Sequence, residues 1–139
     1  MIKEIHAKLK NLEEYVAILK ELSRYSKKQL GDDLKLRGAL ERYMQISLEC
    51  IIEISEMIIS EKGFRKPERY RDAILILGEE SILQKGFARK LAPAAGLRNI
   101  LVHHYAGVDF DKLYRHLQND LKDFDTFAKQ VSAYLNKNK

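Results

Sequence analysis

The stretch Phe110-Asp111-Lys112-Leu113-Tyr114-Arg115-His116-Leu117-Gln118-Asn119-Asp120-Leu121-Lys122-Asp123-Phe124, continued to Leu135, decides the fold. Phe110, Tyr114, Leu117, Leu121, Phe124, Ala128, Val131 and Leu135 recur in alternating steps of four and three, a seam that faces one side of an α-helix. Such a seam is stable only against other helices, so the chain reads as a helical bundle. Asp109, just before the run, is placed to cap it, and Gly107 closes whatever precedes it.

Working back toward the N-terminus, the same period recurs. Ile5, Leu9, Leu12, Val16, Leu19 and Leu22 mark a first helix from Ile2 to about Tyr25. Gly31-Asp32-Asp33 interrupts the pattern and offers carboxylates to the free amides of a second helix. That helix buries Leu36, Leu40, Met44, Leu48, Ile51, Ser55 and Ile58 and stops at Gly63. Pro67 opens a short third helix through Ala73-Ile74-Leu75-Ile76-Leu77, closed at Gly78. The apolar run has no second strand to pair with, so a helix is expected. Ser81 is expected to cap a fourth helix from Ile82 to Tyr105, kinked at Pro93 by the missing amide and the ring clash.

The expected fold is therefore all-α, an up-and-down bundle of four long helices plus one short one. With 139 residues the chain supports one core, so residues 1–139 are expected to form a single domain, with a tail at 136–139 that frays. Apolar residues make up 45% and charged residues 32%, the balance of helices with one wet face each. No apolar run approaches the ~20 residues needed to cross a bilayer, and Met1-Ile2-Lys3-Glu4-Ile5-His6 carries charge where a signal peptide is apolar. No membrane partner is expected, and the expected location is the cytoplasm. The single cysteine, Cys50, lies among Leu48, Ile51 and Ile52 and reads as a small core residue.

The net charge of +5 is local. Residues 62–98 hold nine cations, Lys62, Arg65, Lys66, Arg69, Arg71, Lys85, Arg89, Lys90 and Arg98, against four carboxylates, so this region carries the whole excess. It would attract a polyanion such as RNA through counterion release, although charge alone describes an ordinary solvated surface equally well.

Beside that region stands Arg98-Asn99-Ile100-Leu101-Val102-His103-His104-Tyr105, where polar groups crowd into a helix that packing alone would not require. At about 100° per residue, Asn99 and His103 share one ridge and Arg98, Val102 and Tyr105 another. Arg98 and His103 are then about 140° apart. These residue types suit phosphodiester cleavage without a metal. A histidine moves the proton of a ribose hydroxyl near neutral pH, and an arginine fork holds the phosphate as charge builds on it. The substrate must be RNA, because the attacking group is the neighbouring 2′-hydroxyl. Capping and interhelical hydrogen bonding account for the same residues without catalysis.

The string from Arg98 to Tyr105 resembles the Arg-x4-His-x-Tyr signature of the HepT-like branch of the HEPN superfamily. The resemblance extends along the chain, through Leu34-Lys35-Leu36-Arg37-Gly38-Ala39-Leu40-Glu41-Arg42, Gly63-Phe64-Arg65-Lys66-Pro67-Glu68-Arg69-Tyr70, Gly96-Leu97-Arg98-Asn99 and Val108-Asp109. It implies a HEPN-like bundle that forms a homodimer, with the motif helices of two subunits meeting at a cleft. It further implies a metal-independent endoribonuclease, the toxin of a type VII toxin–antitoxin system, acting on mRNA or tRNA. Arg98 is the implied phosphate-binding residue, His103 the catalytic acid or base and Asn99 their supporting polar residue. Tyr105 is the implied site at which an MntA-like nucleotidyltransferase antitoxin attaches AMP, and bulky negative charge beside a phosphate-binding arginine would block the cleft. No cofactor is implied. A second reading within the superfamily is a non-catalytic module that docks a nucleotidyltransferase or binds nucleotide.

Other polar residues are set aside. His104 points about 100° from His103, so the two cannot share one metal from a regular helix. His6 and His116 show no acidic or cysteine companion at ligand spacing, and no metal site is expected. Gln45, Glu49, Glu53 and Glu56 form a line on the second helix that reads as a solvated face, with Glu49 or Arg42 as alternatives for orienting the site.

Overall fold

The computed structural model describes residues 2–103 and 108–137. Within them the chain forms α1 (Ile2–Leu22), α2 (Lys27–Asp32), α3 (Leu34–Lys62), α4 (Tyr70–Glu79), α5 (Lys85–Leu91), α6 (Ala94–His103), α7 (Phe110–Asn119) and α8 (Leu121–Lys137). No strand occurs among the described residues, so the all-α expectation holds, but several helices expected to be continuous are divided.

The longest helix, α3, is the rail on which the rest is laid. Asp33 caps it, its Oδ1 accepting from the amides of Lys35 at 2.9 Å and Leu36 at 3.2 Å. Gly63 ends it in the left-handed conformation, φ 67°, as its lack of a Cβ permits. One face of α3, from Leu40 through Ile59, is buried. Against it lies α1, running antiparallel: Lys8 pairs with Glu53 near one end, and the rings of Tyr15 and Tyr43 are 6.1 Å apart further along. α8 is also antiparallel to α1. Lys20 bonds Asp125 at 2.9 Å, and Gln118, at the end of α7, donates to the Ser23 carbonyl at 2.8 Å. The seam read from the sequence is confirmed at Leu117, Leu121, Phe124, Val131 and Leu135, and Phe127, wholly buried, joins it.

Several departures from the sequence expectation are local. A short helix, α2, precedes Asp33 because Ser26 and Gln29 form a reciprocal capping box, the Gln29 amide donating to Ser26 Oγ at 3.0 Å and the Ser26 amide to Gln29 Oε1 at 2.8 Å. Ser81 caps nothing: it sits at φ 61° in the turn after α4, and α5 begins only at Lys85. The final helix is interrupted at Asp120 (φ −112°, ψ 0°), whose amide still bonds the His116 carbonyl, so α8 resumes one residue later.

Gly78 is not a terminator either. It is buried inside α4, where a Cβ would lie 2.6 Å from the Ala88 Cβ, so the glycine is what lets α4 and α5 approach. Pro93 does more than kink. Its missing amide cannot bond the Arg89 carbonyl, α5 ends at Leu91, and the Ala95 and Gly96 amides turn back onto the Ala92 and Pro93 carbonyls to start α6. At the C-terminus α8 continues through Lys137, so Asn136 and Lys137 lie in its last turn; Asn138 and Lys139 are outside the described residues.

Candidate ribonuclease site

The site is built where the restarted helix α6 crosses α3 and the start of α4. Arg98, in the second turn of α6, extends toward α3, and its side chain is 20% exposed. Its Nε lies 3.7 Å from Glu49 Oε1, its Nη1 donates to Asn99 Oδ1 at 3.1 Å, and its guanidinium carbon stands 5.0 Å from the centre of the Tyr70 ring. The stack on Tyr70 is a cation–π contact. Glu49 is fixed in turn, since Gln45 Nε2 donates to the same Oε1 at 2.8 Å. Two turns further along α3, Glu56 also feels Arg98: burial first, then the charge of Glu53, pushes its carboxyl above the usual 4.5, and Arg98 opposes the shift.

Of the residues expected to form the site, Arg98 and Asn99 are hydrogen-bonded to one another, while His103 stands exposed in the last turn of α6. Because α6 is unbroken from Ala94 to His103, the angular argument applies: the arginine faces α3 and α4, and the histidine, about 7 Å along the axis, faces elsewhere. His104 and Tyr105 lie outside the described residues. Tyr70 was not singled out from the sequence as a site residue, because only the fold brings α4 to Arg98. Glu49 was visible as an alternative, through its spacing of four from Gln45 and seven from Glu56.

The basic region is partly spent on structure. Arg65 makes two hydrogen bonds to Glu79, Lys90 pairs with Asp123, and Lys62 stands over the Tyr134 ring. The charged groups of Lys66, Arg69, Arg71, Lys85 and Arg89 remain exposed with no ion pair among the described residues. Lys66, Arg69 and Arg71 lie at the start of α4, near Tyr70 in the sequence, whereas Lys85 and Arg89 lie on α5, beside Gly78 and Glu79 at the other end of α4.

The other flank of α6 borders a groove of about 540 Å³, between α6 on one side and α7 and α8 on the other, with Met44 and Leu48 of α3 beneath. Leu97 and Ile100 line it, and Ile100 is 42% exposed. His116 also borders it, and it does have an acidic companion: its Nδ1 is 2.6 Å from Asp120 Oδ2, one turn on. That pair is not accompanied by a third ligand; among the described residues no group of three His, Cys, Asp or Glu is placed to hold a metal. Cys50 is buried, and burial pushes its thiol up to about 11, as befits an inert core residue. No helix is long and apolar enough to cross a membrane among the described residues.

The all-helical fold and the sequence together place the chain in a class of helical ribonucleases. Residues 12–131 match the family model for ribonuclease HepT-like proteins, and the chain belongs to that family. It is 27% identical over 131 residues to the tRNA nuclease HepT of Aphanizomenon flos-aquae, covering 94% of this chain and 89% of that protein. It is likewise 27% identical over 105 residues to the mRNA nuclease HepT of Shewanella oneidensis, covering 76% and 79%. Among solved structures, the tri-AMPylated HEPN toxin of Shewanella oneidensis in complex with its MNT antitoxin shares the fold, with a TM-score of 0.84 at 23% identity, covering 93% of this chain and 96% of that one. The cytosolic protein YutE of Bacillus subtilis shares it too, with a TM-score of 0.86 at 24% identity and coverage of 98% and 91%.

Proposed function

We propose that the chain, folded as one domain, is the toxin of a type VII toxin–antitoxin pair, a metal-independent endoribonuclease that cleaves mRNA or tRNA in the cytoplasm. The observation that carries this reading is the contrast on α6: an Arg98 guanidinium already fixed in place, and a solvent-facing His103 one and a half turns away.

In the proposed reaction the ribose 2′-oxygen attacks phosphorus while a histidine accepts its proton. The 2′-O–P bond forms as the P–O5′ bond breaks, and the departing 5′-oxygen takes up a proton, leaving a 2′,3′-cyclic phosphate and a 5′-hydroxyl. Arg98 binds the phosphate and stabilises the charge that accumulates on its oxygens. Asn99 supports it. Because Arg98 and His103 face different ways on one helix, a productive site takes Arg98 from one subunit and His103 from the other of a homodimer. The exposed apolar edge of α6 at Leu97 and Ile100 supports contact with a second copy there. The five exposed cations about α4 and α5 supply the attraction for RNA.

Silencing is proposed to come from an MntA-like nucleotidyltransferase that places AMP on Tyr105. Tyr105 follows Arg98 by seven residues in the sequence, and a phosphate added there would compete with RNA for the positive charge of the arginine.

The test is cleavage of purified RNA in EDTA by the natural chain and by Arg98→Ala and His103→Ala, with end-group analysis of the products. Both variants are expected to lose at least about a hundredfold in rate. Unchanged cutting by both would end the catalytic reading. Mass spectrometry after coexpression with the antitoxin is expected to find AMP on Tyr105; a neutralised complex with an unmodified tyrosine would remove that part.

A further inference from the structure

The geometry points to Glu49 and Tyr70 as positioning residues for Arg98, a role that rests on Arg98 being the phosphate-binding group proposed above. Arg98 is held on three sides before any substrate arrives. Glu49 Oε1 lies 3.7 Å from Nε, Asn99 Oδ1 accepts from Nη1 at 3.1 Å, and the Tyr70 ring lies 5.0 Å from the guanidinium carbon. Among the described residues the one side-chain hydrogen bond of the guanidinium is made by Nη1, which leaves Nη2 without a hydrogen bond. The carboxylate that holds Nε is itself locked by Gln45 at 2.8 Å, from a helix anchored through the core.

Two consequences follow, of opposite sign. Fixing a long, rotamer-rich side chain keeps the guanidinium aligned for the charge that builds on the phosphate during the reaction, so bound RNA is cleaved faster. Placing a carboxylate against the guanidinium also offsets part of the charge that the phosphate meets, so binding is weaker than a free arginine would give. The side chains of Arg98 and Glu49 are 20% and 25% exposed, sheltered enough for the pair to exceed an ordinary surface contact. With Nε held by Glu49, the phosphate is met end-on by Nη2 and Nη1, Nη1 exchanging the neighbouring Asn99 amide for the substrate oxygen.

Glu49→Gln in the full chain separates the two effects, because it keeps the shape and removes the charge. Single-turnover cleavage of a defined RNA is expected to slow about tenfold, while the same RNA binds about two- to threefold more tightly at low salt. In an Arg98→Ala background the tighter binding should vanish, as a shared interaction requires. Tyr70→Leu should slow cleavage and Tyr70→Phe should restore it, the ring and not the hydroxyl being what covers the guanidinium. If Glu49→Gln leaves rate and affinity unchanged, or lowers both along with the thermal midpoint, Glu49 is not a positioning residue. Failure of the ribonuclease reading has a different signature: Arg98→Ala would itself cut RNA at the natural rate.

Discussion

Between Leu34 and Lys62 the chain runs as one unbroken helix, whereas a similar length from Tyr70 to His103 is cut into three. The first region is a rail and the second a set of pieces laid across it. Glu49, Gln45 and Glu56 come from the rail, Tyr70 and Arg98 from the pieces. Long helices packed by their apolar stripes resist displacement, while short ones broken by Pro93 and drawn together at Gly78 point side chains in directions that a continuous helix would not allow.

The comparison can be broken most forcefully from the rail. Ile54 is wholly buried on α3. Ile54→Ala is expected to reduce stability by about 2–5 kcal/mol in urea unfolding, through lost burial and the cavity left behind. Among the pieces, Gly78→Ala would put a methyl into the Ala88 side chain. That overpacking is expected to cost about 1–3 kcal/mol, and by shifting α5 it should also lower the rate of RNA cleavage in the folded protein. A smaller effect is expected where the rail begins: Asp33→Ala removes the carboxylate that satisfies two free amides, about 1 kcal/mol on thermal unfolding.

The smallest effect sharpens the comparison at the contact between the two regions. Burial and Glu53 raise the Glu56 carboxyl above 4.5. A carboxyl raised in the folded state contributes stability below its unfolded value and loses it as pH rises through the folded one. Glu56→Gln should therefore raise the melting temperature slightly at pH 7 and leave it unchanged at pH 4. A gain that persists at pH 4 would mean that the carboxylate's charge is not its cause.

The rail was legible in the sequence because its signals are local: a cap at Asp33, a 3.6-residue apolar stripe and a glycine at the left-handed stop. The breaks were harder to read. The seam from Leu117 to Leu121 keeps its four-residue step across Asp120, so the periodicity passes straight through a helix end. Ser81, a good capping residue by type, was drawn into a positive-φ turn by the path between α4 and α5. At the site, Arg98, Asn99 and His103 stood out because polar residues in an apolar helix need a reason. Tyr70 did not, since its nearness to Arg98 spans twenty-eight residues and depends on Gly78 and Pro93 folding the pieces back.

The division of labour on α6 is the central claim, and mixing two inactive variants tests it most directly. Arg98→Ala and His103→Ala subunits, unfolded and refolded together, form dimers of which about half are mixed. If each site takes its arginine from one subunit and its histidine from the other, a mixed dimer holds one intact site, and RNA cleavage should return to about a quarter of the natural rate. If mixed dimers are present and cleavage stays at the level of the separate variants, the two residues do not act across the dimer.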